Sequence, residues 1–335
     1  GLGFLQKPDD LLFRKTLLHV RLLLRKRTLL GSDWPGLLGA GQRRPPGARV
    51  PAPLVARRKR AALLFLLPAC AMFCIYVIYP IISSIVLSLY NWDGMSEKVF
   101  VGLANYGELL RTDTFYVALK NNVLWLVLFL LAPPIGLAFA LYLNQNVKGM
   151  RLIKSLFFSP FVLSGVVVGL IFSWFYDPAF GLLKLIVGHG IPVLGDERYA
   201  TFGVIAAALW PQIPFCMLLY LTNLTSINPE IIEAGRMEGA TGWSLLWHVV
   251  LPQLRPATFL SVVLTIIGAL RSFDLIAVMT GGGPFDSSTV LAYFMYDQAI
   301  KYFRFGYSAA IAVVLFSIML VFIVYQLRRL LHSDR

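Results

Sequence analysis

SINPEIIEAGRMEGATGWSLLWHVVLPQLRP, from Ser226 to Pro256, is the longest polar connection between two strongly apolar runs. Connections in small bundles are short, so about thirty residues here need a reason. The stretch reads as two short helices. Asn228 suits an N-cap, Pro229 the first helical position, and Glu230 complements the helix dipole. Gly239 and Gly242 bracket a turn, and a second helix is expected from near Trp243 to just before Pro252. Ile231, Ile232, Leu245, Leu246 and Trp247 give the pair an apolar face. Such a face either fits a groove in a partner or packs on the chain's own bundle.

On both sides of this stretch the chain reads as an all-α membrane protein. A spanning helix needs about 20 mostly apolar residues. Six runs qualify, at about 61–90, 115–143, 152–175, 202–224, 257–279 and 307–327. Prolines interrupt four of them: Pro68 and Pro80, Pro133 and Pro134, Pro160, and Pro211 and Pro214. Neighbouring helices or cavity water must satisfy the carbonyls these free, which suggests a bundle around a pathway. Arg57 to Arg60, then Lys148, Arg151 and Lys154, then Arg328, Arg329 and Arg335 flank the runs on one side. The positive-inside rule makes that side, both termini and the 226–256 connection cytoplasmic.

Of the 335 residues 58% are hydrophobic and 14% charged, with mean hydropathy +0.71, well short of the charge of a soluble domain. The net charge of +13 lies in clusters beside apolar runs, which argues against nucleic acid as its partner. Cys70, Cys74 and Cys216 sit in apolar stretches without CxxC or Cys/His spacing, so neither a disulfide framework nor a metal site is expected. Residues 1–56 form a basic leader rich in Pro and Arg, before a transmembrane domain at 57–335. Its leucine-rich run carries Arg14, Lys15, Arg21, Arg25, Lys26 and Arg27 and so cannot span. The leader is expected to be disordered, interfacial or artefactual, the first methionine being Met72.

Ionisable and hydrogen-bonding groups inside apolar runs are functional candidates by default. Arg271 and Asp274, three apart, are expected on one face of the fifth run, either as a pathway wall or as an internal ion pair. Trp210 and Gln212 form the best pair for a hydroxylated solute in the fourth, and Asn122 and Tyr293 are further candidates. For each of these, hydrogen bonding between helices is the competing reading. No constellation of His, Cys and acidic residues suggests catalysis, and no GxxxxGK[ST] phosphate loop occurs.

The wording of the 226–256 stretch resembles the EAA loop of ABC importer permeases. Glu233, Ala234 and Gly235, then Gly239, then Leu251 and Pro252 keep that pattern's spacing, with Gly235 where the family has alanine. VGLANY at 101–106, SFDLIAVMTGGGP at 272–284 and GYSAAIA at 306–312 resemble the maltose, oligosaccharide and glycerol-3-phosphate permeases in the same order. The resemblance covers roughly Arg57 to Arg329. It implies the six-helix importer permease fold, with 226–256 as the coupling loop that docks into a cytoplasmic ATPase through Glu233. It implies a second permease, two ATPase subunits holding ATP and magnesium, and an extracytoplasmic solute-binding protein as partners, in a bacterial inner membrane. This chain itself would need no cofactor. A secondary transporter or channel acting alone is the alternative; it would show inverted repeats and need no Glu233 loop.

Overall fold

The computed structural model describes residues 65–145 and 149–333. The leader, the Arg57–Arg60 cluster, the start of the first apolar run, Lys148 and Arg335 lie outside them. The chain divides into two units, 1–72 and 73–335. Of the first, only the opening turns of helix α1 are described.

Hydropathy marks the same elements that the structure shows as helices. α1 is Phe65–Leu87, with a π-turn at Cys74–Ile78. A two-stranded ribbon follows, β1 Tyr90–Asn91 antiparallel to β2 Val99–Phe100, then the short α2 Ala104–Leu109. The second span is α3 Asp113–Phe129 continued by α4 Ala132–Leu143. Its break falls at Leu130–Leu131, one turn before the paired prolines, because Pro133 and Pro134 cannot donate to the carbonyls of the preceding turn.

The third apolar run, expected as one span over 152–175, is two helices bent by 97°. α5 Met150–Val162 ends on Leu163, whose backbone is extended, and α6 Gly165–Phe175 starts from Ser164 as N-cap, its hydroxyl accepting from the Val167 amide at 3.4 Å. Pro160 itself causes no elbow. The Leu156 carbonyl that it leaves without an amide accepts from the Ser159 hydroxyl at 2.8 Å.

After α7 Leu182–Val187 comes α8 Ala200–Leu224, the longest straight span in the centre. The 226–256 connection holds α9 Pro229–Met237, α10 Gly242–Leu245, a π-turn at Leu246–Val250 and α11 Leu251–Gln253. The second helix thus runs through Pro252 instead of ending before it, since proline is tolerated in a first turn. α12 Arg255–Leu270 and α13 Asp274–Met279 make the fifth span, α14 Leu291–Ile300 is an extra-membrane helix, and α15 Phe305–Ser333 is the last.

α8 packs chiefly on α4, α15 on α1 and α14, and α6 on α13. Glycines set the first and last of these distances. A Cβ on Gly136 of α4 would lie 2.7 Å from the Met217 amide of α8, and one on Gly169 of α6 would lie 3.0 Å from Val278 of α13. Small residues at crossings are how helices approach closely in lipid, where hydrophobic burial gives no net drive. One core centres on Trp125, Ile205, Ile276, Leu291 and Ile311; a second, nearer the 229–253 connection, on Leu143, Met217, Tyr220 and Leu254.

The three outer phrases are backbone requirements. Asn105 of VGLANY donates to the carbonyls of Ser88 (2.8 Å) and Tyr90 (3.0 Å), pinning α2 to the end of α1. Gly306 of GYSAAIA lies against the Tyr90 carbonyl, where no side chain fits. Gly281 and Gly282 of the TGGGP turn have φ of +58° and +85°. Asn121 fastens that turn through the carbonyls of Ser287 (2.7 Å) and Thr289 (2.8 Å).

Candidate functional site

The 229–253 connection is a preformed two-helix element. Asn228 caps α9 by accepting from the Glu230 amide at 3.1 Å. α9 ends in a Schellman turn. Gly239, at φ +86°, donates to the Arg236 carbonyl at 3.0 Å, and Ala240 donates to the Gly235 carbonyl at 3.0 Å. Left-handed backbone is what glycine supplies without strain, so Gly239 is required by this geometry.

Gly235 has a role that sequence reading missed. It is the one buried residue of α9, and a Cβ there would come within 2.8 Å of a Val249 methyl and 3.3 Å of Leu245. Glycine at this position lets α9 lie directly on the following π-turn. Leu251 and Pro252 are half-buried at the far end, beside the second core.

The opposite surface is open. Glu233 and Ala234 are exposed, and Met237, Trp243 and Trp247 are 89%, 74% and 61% exposed. Of the five residues expected to form one apolar face, Ile232, Leu245 and Leu246 are partly covered, while Ile231 and Trp247 face outward. Large apolar side chains rimmed by Glu230, Glu233 and Arg236 form an exposed patch of the kind that takes a partner or a membrane surface.

The polar and aromatic candidates separate into two groups. Gln212, Asn122 and Tyr293 each make a hydrogen bond within the bundle. Gln212 donates to the Thr265 hydroxyl at 3.0 Å and so ties α8 to α12. The Asn122 side-chain oxygen accepts from the Leu291 amide at 2.9 Å. Tyr293 is buried, stacks on Phe273, and accepts from the Lys301 ammonium at 3.0 Å. Asp297, 2.5 Å from that ammonium and outside the spans, holds Lys301 above the ordinary lysine range.

Trp210, Arg271 and Asp274 form the second group, and each is open on one side. Trp210 and Gln212 are not neighbours in function: two residues apart on a helix, they point to different faces. Trp210 packs edge-on to Phe172 and lines an apolar cavity of about 330 Å³ with Phe157, Pro160 and Ile213, between α4, α5 and α8.

Arg271 and Asp274 are not on one helical face. α12 ends at Leu270 with Arg271 as its C-cap, and α13 starts at Asp274, so a break in the helix falls between the two residues. No ion pair joins them among the described residues. Asp274 instead stands at the N-terminus of α6, its carboxylate 3.2 Å from where a Gly165 Cβ would be. That end carries partial positive charge, which a carboxylate balances. The Gly165–Gly169 spacing, small-xxx-small, was the signal in the sequence for this contact.

Residues 132–334 match the family described as the binding-protein-dependent transport system inner membrane component. The chain is 35% identical over 285 residues to the probable ABC transporter permease protein YurN of Bacillus subtilis, covering 82% of this chain and 97% of that one. It is 33% identical over 270 residues to the multiple sugar-binding transport system permease protein MsmF of Streptococcus mutans, covering 79% and 93%. A chain in the crystal structure of a bacterial alginate ABC transporter, in complex with an alginate pentasaccharide-bound periplasmic protein, superposes with a TM-score of 0.71. That match is at 20% identity over 82% of this chain and 94% of the other, and it shows a shared fold.

Proposed function

This chain belongs to the binding-protein-dependent transport system inner membrane component family, and from that premise we propose that it forms, with a second similar permease, the path by which an ATP-driven importer carries a sugar, oligosaccharide or related polyol or glycerol-phosphate solute. It is a multi-pass membrane permease subunit and a transport component, not an enzyme. The solute class rests on the sugar system of its relative and on the oligosaccharide of its structural neighbour.

The observation that carries the reading is the 229–253 element. It is closed by the Gly235–Val249 contact and a Schellman turn, it is joined to the α8 and α12 spans, and its uncovered face carries Glu233, Met237, Trp243 and Trp247. On this reading the face seats in an ATPase subunit, and two such subunits hold the ATP and magnesium. Closure of the ATPase pair then moves α9 as a body, and α8 and α12 carry that motion to the solute path. The positive-inside clusters support a reading in which the element and both termini are cytoplasmic. A solute-binding protein delivers at the other end. Trp210, Arg271 and Asp274 line the path, while Gln212, Asn122 and Tyr293 hold the helices that present them. Unpaired charges facing hydrocarbon are costly, so the open side of Arg271 and Asp274 belongs to a polar path or to the second permease.

Glu233→Ala and Gly239→Asp test the coupling role. The first removes the exposed carboxylate without touching the core; the second places a side chain at φ +86° and breaks the Schellman turn. Both should abolish uptake and solute-stimulated ATP hydrolysis at normal membrane abundance. Normal uptake by both variants would remove the assignment.

A further inference from the structure

At the end of the bundle away from α9, a groove of about 700 Å³ runs between α3 and the start of α8. Its apolar walls include Val123, Leu124, Val127 and Phe202, and Asn121, Thr201 and Ser287 also line it. On α3, Tyr116, Lys120, Val123 and Val127 follow one another at three- and four-residue steps and are all exposed, so they form a single outward stripe. The opposite face of α3, with Phe115, Ala118, Asn121, Asn122 and Trp125, is the buried one.

An exposed lysine on an apolar stripe needs a partner. The second span has 31 residues, about 46 Å of helix and so about 16 Å more than the hydrocarbon core. With that excess shared between the two ends the hydrocarbon begins about 8 Å in, so Lys120, about 10 Å from Asp113, sits at its edge and Val123 and Val127 lie below it. Arg198 and Glu197 line the same groove just before α8. Neither Lys120 nor Arg198 has an ion-pair partner among the described residues. Apolar side chains of Val123, Leu124 and Val127 below, two cations and one carboxylate at the mouth make a defined chemical pattern.

We infer that this groove is a phospholipid site: an acyl chain lies along the valine stripe, the phosphate sits at Lys120 and Arg198, and Glu197 accepts a hydrogen bond from the ammonium of an ethanolamine headgroup. The charge order argues for a bilayer lipid over a protein helix. A lipid carries its anion directly above its hydrocarbon, as the two cations stand directly above the valines. The amine partner for Glu197 distinguishes phosphatidylethanolamine from phosphatidylglycerol, which has no cation to offer.

Native mass spectrometry of the assembled transporter, exchanged into detergent with equimolar phosphatidylethanolamine and phosphatidylglycerol, tests this. Wild type should retain phosphatidylethanolamine on this chain. Lys120→Gln should reduce retention about fivefold and the Lys120→Gln/Arg198→Gln pair about thirtyfold, as for interfacial cations acting independently. Glu197→Gln should remove the preference between the two lipids. Val123→Trp, which fills the groove and leaves its charges, should also lose the lipid in a transporter that still elutes intact. Equal retention by wild type and the double variant overturns the proposal. So does a photo-crosslinker at Val123 that captures the second permease in place of lipid.

Discussion

Gly235 occupies the position where importer loops of this kind carry alanine, and sequence reading noted only that departure. The contact with Val249 gives it a second meaning: the helix pair is closed at the one site where there is no room for a methyl group. Gly235→Val should therefore destabilise the element by about 1–3 kcal/mol, the usual cost of overpacking. Co-purification of the ATPase should fall with it. Val249→Ala on the same chain should restore much of the loss, because it returns the space the new side chain needs. A Gly235→Val protein that binds its ATPase normally would show that α9 and the π-turn are not closed on each other. Gln212 carries the same lesson in reverse. Its amide looked like a solute contact, but Thr265, fifty-three positions away, takes it up. No local pattern in a single sequence shows such a partner.

Elements were the most legible level where apolar length alone decides. Runs of about 20 apolar residues mark spans because unsatisfied backbone is untenable in lipid. The N-cap, Pro229 and Gly239 of the connecting element were equally readable, since each answers a local backbone need. The elbow between α5 and α6 was not. Val162, Leu163, Ser164 and Gly165 are as apolar and small as a span interior, and the bend follows from how α6 packs on α13. The β1–β2 ribbon offers an element-scale test by pH. The Asp93 carboxylate accepts from the Ser96 amide (2.8 Å) and the Met95 amide (2.9 Å), which together hold it down to about 2. Because the folded value lies below the ordinary 3.8, the turn's contribution is fully present above that value and is lost as pH falls through about 2. Carboxyl-carbon NMR of labelled Asp93 should show no titration between pH 7 and pH 4, whereas Asp93→Asn should loosen the ribbon at every pH. Titration near 4 would mean the turn is open in solution.

At the scale of the molecule, the α6 N-terminus, Asp274 and Arg271 have a consequence in electrical work. A half-helix end of about half a positive charge, one carboxylate and one guanidinium leave about half a positive charge along this part of the path. A neutral solute crosses it without moving net charge through the membrane field, and the ATPase works against concentration alone. A phosphate ester would instead work against about 2.3 kcal/mol per elementary charge for each 100 mV. Collapsing the potential with an ionophore at constant ATP should leave the uptake rate unchanged if the cargo is a sugar or polyol. A rate that follows the voltage would identify an anionic cargo drawn past Arg271, and Arg271→Gln should then lower its uptake while the voltage dependence, set by the cargo's own charge, persists.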